Sequence, residues 1–193
     1  MKATLLLAGM VLATTGSLAS GELHGRVACK GLRNSADAVV YVTSIPGKTF
    51  AAPDAHAQIR QSHTVFVPHV LPVIVGTTVE FLNQDNVLHN VFSPDPCAPR
   101  FNLGTWPRGQ VRQHAFTQEC AAAILCNVHP EMEAFVVAVP TPYFAVTAPD
   151  GSYLIPNVPD GTYTVKVWHQ KLKAVQKSIH VQGTTEASFE MDR

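Results

Sequence analysis

The run Cys126-Asn127-Val128-His129-Pro130-Glu131-Met132 puts a thiol, an imidazole and a thioether within seven residues, directly after a strand-like stretch. Such soft and borderline donors favour copper over zinc, whose sites rarely use Met. The set needs a second imidazole. His89 is the candidate, because it follows the strongly strand-like Val79 to Leu82 through Asn83-Gln84-Asp85-Asn86-Val87-Leu88. In a Greek-key sandwich, strands far apart in sequence become neighbours, so one such fold would bring His89 to the run. Two His and a Cys in a plane with a weak axial Met is a copper geometry suited to electron transfer. An all-β sandwich is a fold in which that pairing can arise.

The rest of the chain agrees. Charged residues are sparse, Pro and Gly are frequent, and short apolar runs alternate between turn residues, which is the pattern of an all-β protein. Strands are expected at His24 to Ala28, Ala38 to Thr43, Thr64 to Val67, Leu71 to Val75, Thr78 to Asn83 and Asn90 to Ser93. Others are expected at Val111 to Thr117, Ala122 to Cys126 and Ala134 to Val139, with a short helical turn around Asp54 to Gln61. After Pro140 come Tyr143 to Thr147, Ser152 to Ile155, Thr162 to Trp168, Val175 to Val181 and Glu186 to Glu190, with Asp150-Gly151 and Asp160-Gly161 as turns. In Thr162 to Trp168 the odd-numbered Tyr163, Val165 and Val167 share one face, which should be buried while the other is wet.

Val79-Glu80-Phe81-Leu82-Asn83, then His89-Asn90-Val91, then the C-x2-H-x2-M run resemble the cupredoxin family, in its amicyanin- and plastocyanin-like branch. The short gap between His129 and Met132 matches the amicyanin-like loop, whereas Phe101-Asn102-Leu103-Gly104 is closer to plastocyanin-like proteins. The resemblance covers Val65 to Val139. It implies a Greek-key sandwich and one copper held by His89, Cys126, His129 and Met132, with His129 at the solvent edge and Met132 axial. It also implies that Asn90 ties the two ligand loops together and leans its backbone N–H toward the Cys126 sulfur. Both ends of the chain carry a second likeness. Gly25-Arg26-Val27 through Ala38 to Val42, and Tyr143 through Tyr163, resemble the two halves of a carboxypeptidase-regulatory-like, transthyretin-type β-sandwich. The expected division is 1–19 as a signal peptide, 20–50 and 141–193 as the two halves of that sandwich, and 51–140 as a cupredoxin domain inserted between them. A single enlarged sandwich is the alternative.

Lys2 followed by the apolar run Ala3 to Ala13 and then Ser17-Leu18-Ala19 reads as an export signal cut after Ala19. The mature chain is then expected in the periplasm or secreted, with no membrane insertion after cleavage. The 14 Lys and Arg balance 14 Asp and Glu, which lacks the basic footprint of nucleic-acid binding. Four Cys in an oxidising compartment first suggest two disulfides, with three possible connectivities. With Cys126 assigned to copper, Cys97 and Cys120 are expected to form a bridge, leaving Cys29 and Cys126 as thiols. The other histidines, among them His63 and His69, show no spacing that suggests a second metal site.

Four protein ligands leave no open coordination position for a substrate, so the expectation is not an enzyme but a one-electron carrier. Its redox partner would be a protein such as a c-type cytochrome or an exported dehydrogenase, docking by family analogy around the edge of His129, with Pro130 and Phe135 in the rim. A copper-binding module for storage or delivery is the alternative, although only 4 Met occur in the chain.

Overall fold

The computed structural model describes residues 20–193, and the expected signal segment lies outside them. Regular structure among the described residues is entirely β, in four sheets of Greek-key-like order. The first sheet pairs β1 (Ser20–Cys29) with β13 (Ser152–Pro159), and places β16 (Thr184–Glu186) and β17 (Phe189–Met191) parallel to β1. The second runs β12 (Phe144–Val146), β2 (Val39–Val42), β14 (Gly161–His169) and β15 (Leu172–Val181), all antiparallel. The third has the order β5 (Val70–Ile74), β11 (Glu133–Val139), β10 (Cys120–Leu125), β7 (His89–Ser93) and β8 (Phe101–Trp106). The fourth runs β4 (Val65–Val67), β3 (Ala57–Ser62), β6 (Thr78–Asn83) and β9 (Val111–Ala115). Strands from the two ends of the chain thus share the first two sheets, and the intervening strands make the last two.

Three apolar layers separate these sheets. Leu23, Val27, Val40, Val42, Ile155 and Val165 belong to the core of the first pair, and Ile59, Phe81, Val91, Trp106, Ile124 and Val136 to that of the second. Between the pairs, Val39 and Tyr41 of β2 meet Val70 of β5 and Val137 and Val139 of β11. Alternation explains the arrangement. Successive side chains of a strand point to opposite faces, so the uninterrupted Val39-Val40-Tyr41-Val42 can only be accommodated where both faces are covered. Each fully buried apolar side chain of this kind contributes about 1.5–3 kcal/mol. At the rim of the joint, the Tyr41 hydroxyl donates to Glu119 Oε1 at 3.2 Å. Burial, reinforced by that carboxylate, pushes the phenol's pKa up and keeps it a donor.

Several expectations are corrected. No helical turn forms near Asp54, because Ala57 to Ser62 is β3, in parallel pairing with β6. Phe101 to Trp106, not among the expected strands, is β8 at the edge of the third sheet. The last expected strand is two short ones, β16 and β17, both laid along β1. One face of β14 is buried through Tyr163, Val165 and Val167 as expected, but the other is not simply wet, since Trp168 packs in the joint against Phe135 with ring centroids 5.4 Å apart. The turn at Gly151 needs glycine: its φ is +83°, and a Cβ there would collide with the Val27 carbonyl.

Candidate metal centre

Turns at one end of the third sheet bring the site together. His89 opens β7, Cys126 directly follows β10, and His129 lies in the turn that leads to β11. The β10–β7 pairing, through Leu125 and Phe92, sets the two ligand segments side by side. One donor atom each from His89, Cys126 and His129 lies within 4.8 Å of the others. The two imidazole rings stand with centroids 4.8 Å apart. Met132 is 1% exposed and belongs to the same core as Cys126, with its amide donating to the His129 carbonyl at 3.0 Å. Glu131 and Glu133, on either side of it, are exposed.

Hydrogen bonding fixes which atoms face the cluster. His89 is fully buried, and its Nε2–H donates to Asp85 Oδ2 at 2.8 Å, which leaves Nδ1 with the lone pair. That Nδ1 and the Nδ1 of His129 are both buried without a hydrogen-bond partner. Two unmet imidazole nitrogens would each cost roughly 1–3 kcal/mol, whereas beside a free buried thiol they form a soft, convergent donor set. The residues fit copper.

The surrounding contacts are equally specific. The Asn90 amide leans on Cys126 Sγ at 3.4 Å, and Asn90 Oδ1 accepts the Asn127 N–H at 3.3 Å. Asn90 Nδ2 donates to Asn102 Oδ1 and to the Gly104 carbonyl, which anchors the ligand segment to β8. Burial would raise the Asp85 carboxyl, but the amides of Thr64 and His63 and the His89 ring together hold it below the ordinary aspartate value. Those amides donate at 2.9 and 2.7 Å from a two-residue turn between β3 and β4 in which neither residue is glycine and both φ are positive, 55° for His63 and 57° for Thr64. A left-handed conformation costs a non-glycine residue about 1–2 kcal/mol, and accepting both amides on Asp85 offsets part of that.

Other residues singled out in the sequence fall elsewhere. Phe135 does not reach the rim around His129: it sits in the joint, packed on His69 and Trp168. Pro130 is exposed. Exposed apolar residues Val87, Leu88 and Val128 lie on the two ligand loops. His69 bridges the Glu133 carbonyl and Gln170 of the β14–β15 turn. His63 is part of the Asp85 turn, and His114 stacks on Phe101 at 3.8 Å. Cys97 and Cys120 form the expected disulfide, with Cα atoms 5.5 Å apart. The parts that reading the sequence missed are Asp85 and the turn that holds it; an acidic residue four positions before a candidate His ligand was the available signal.

No protein-family description matches the chain, and no curated protein does. Among solved structures it is similar over part of its length to a Cu-containing nitrite reductase from Thermus scotoductus SA-01, at 24% identity over 52% of this chain and 25% of that chain, with a TM-score of 0.43. It is also similar to a purple cupredoxin from Nitrosopumilus maritimus, at 29% identity over 42% of this chain and 98% of the other, with a TM-score of 0.38. A reduced amicyanin variant gives 23% identity over 51% and 97%, with a TM-score of 0.41. The chain thus spans a quarter of the reductase but nearly all of the two smaller proteins. Each overlap is below a TM-score of 0.5. By strand order and by its His–Cys–His cluster, the stretch from β3 to β11 is a cupredoxin-like β-sandwich.

Proposed function

We propose that the chain is an exported type 1 copper protein that carries single electrons between redox partners, with His89, Cys126, His129 and Met132 as ligands. The observation that carries the proposal is the convergence of two buried, unpartnered imidazole Nδ1 atoms on the buried Cys126 thiol. Copper, when bound, supplies the Cu(I)/Cu(II) couple. The protein supplies rigidity. Cys126 is the thiolate, steadied by the Asn90 amide, and Asp85 locks the tautomer and tilt of His89. Met132, buried at the end of the ligand turn, would add a soft thioether as the fourth donor. Anchored this way, the ligand set has little room to rearrange between oxidation states, and four protein donors leave no position for a substrate. The chain acts as a carrier, not an enzyme.

His129 is only partly buried, and the exposed Val87, Leu88, Val128 and Pro130 give the two ligand loops an apolar surface. That surface suits a short-lived complex with a c-type cytochrome or an exported dehydrogenase. The strands of 20–50 and 141–193 form the second sandwich, with 51–140 inserted, in a periplasmic or secreted protein. β2 supports this division, since it pairs with β12 and β14 from the other end of the chain.

Stopped-flow oxidation of the reduced copper protein by ferricytochrome c, run with a Cu(I) chelator present, tests the function. A carrier gives one-electron turnover and keeps its copper through repeated cycles. Loss of copper to the chelator on reduction would instead assign the chain to copper storage or delivery.

A further inference from the structure

We propose that Gln61 is a positioning residue of the metal centre, holding the segment that carries His89 from the opposite sheet; this deepens the copper reading and rests on it. Gln61 lies in β3, on the inward face with Ile59, and is 0% exposed. Its carbonyl accepts the Gln84 amide at 2.8 Å, and its side-chain Nε2 donates to the Asn90 carbonyl at 3.3 Å. These two contacts fall on either side of His89. The next two turn residues, His63 and Thr64, hold Asp85, so one short hairpin grips the ligand segment at 84, 85 and 90.

Asn90 has no polar group to spare. Its N–H faces Cys126 Sγ, its Oδ1 takes the Asn127 amide, and its Nδ2 serves Asn102 and Gly104. Gln61 occupies the remaining acceptor, the main-chain carbonyl. Releasing that carbonyl frees Asn90 to shift, and with it the amide that leans on the thiolate.

Core stability does not account for a glutamine here. Its Oε1 is buried with no partner, a cost that an apolar side chain of the same size would avoid. Flipping the amide does not help, because Oε1 would then face the Asn90 oxygen. What the residue provides is the bond to Asn90, a partner outside the ligand set of the kind whose loss weakens metal binding by about 10–100-fold.

The test compares wild type with Gln61→Leu and with Gln61→Met, which keeps the length of the side chain. Three quantities are read: thermal unfolding of the metal-free protein, the Asn90 amide resonance and its hydrogen exchange in metal-free and Cu(I) protein, and Cu(I) affinity by chelator competition. The expected result is a metal-free melting temperature equal to or above that of wild type, an Asn90 amide that shifts and exchanges faster, and Cu(I) affinity weaker by about tenfold or more. A lowered melting temperature with an unmoved Asn90 amide and unchanged affinity in both variants would make Gln61 a core residue and overturn the proposal. If the wild-type copper protein lacks a thiolate band, the electron-carrier reading fails by itself, and the metal-free Asn90 readout still decides the role of Gln61.

Discussion

His89 has one nitrogen tied and one free, and Asp85 is the cause. Its carboxylate fixes the Nε2–H tautomer and is itself held by two backbone amides from a strained turn. Asp85→Ala should therefore weaken copper binding by about 10–100-fold and broaden the optical and EPR signals, while far-UV circular dichroism stays native. Unchanged affinity in a chelator competition would remove Asp85 from the account. The candidate cluster of His89, Cys126 and His129 was legible in the sequence because its chemistry is concentrated in the run from Cys126 to Met132 and its partner His89. Asn90's ties were legible only through resemblance. Gln61 was not legible at all, because a lone Gln in a strand has no spacing to betray it, and its role depends on the packing of one sheet over another.

Among the elements, strands with strict alternation or uninterrupted apolar runs, such as β6 and β2, could be read directly. β3 and β8 could not. Ala57 to Ser62 has only Ile59 as a large apolar residue, and β8 is an edge strand whose pairing with β7 shifts register between Asn90 and Phe92. Two tests belong here. The Cys97–Cys120 bridge ties the segment after β7 to the start of β10 with a sequence separation of 23. Replacing both cysteines by serine should cost about 3 kcal/mol in denaturant unfolding, and thiol titration of denatured, metal-free, unreduced wild type should find Cys29 and Cys126 alone. On β9, burial pushes His114 below the ordinary histidine value where it stacks on Phe101. The unfolded chain therefore takes up the proton first as pH falls. This contribution is complete above about pH 6.5 and is lost as pH drops through that value toward the lowered one. His169 is shifted in the same direction, mainly by burial, so His114→Phe should remove only part of the acid decline in melting temperature. An identical decline in both proteins would contradict the assignment.

At the scale of the whole molecule, the joint between the two pairs of sheets is apolar, formed by Val39, Tyr41, Val70, Val137 and Val139. Such a joint should make the two parts unfold together. The chain carries its own reporters, since Trp106 is buried in the β3–β11 core and Trp168 lies in the joint. Single-tryptophan variants Trp106→Phe and Trp168→Phe should show coincident unfolding curves, and Val137→Asp should separate fluorescence from circular dichroism. Separate midpoints before any change at the joint would show that the halves are independent. The joint also covers the outer face of β11. The proposed copper centre is tested most directly by a copper titration of the purified protein followed by visible and EPR spectra. The account predicts one equivalent of copper, an intense thiolate-to-copper band that bleaches with ascorbate, and loss of that band in Cys126→Ser. A colourless, labile complex unaffected by that substitution would contradict it.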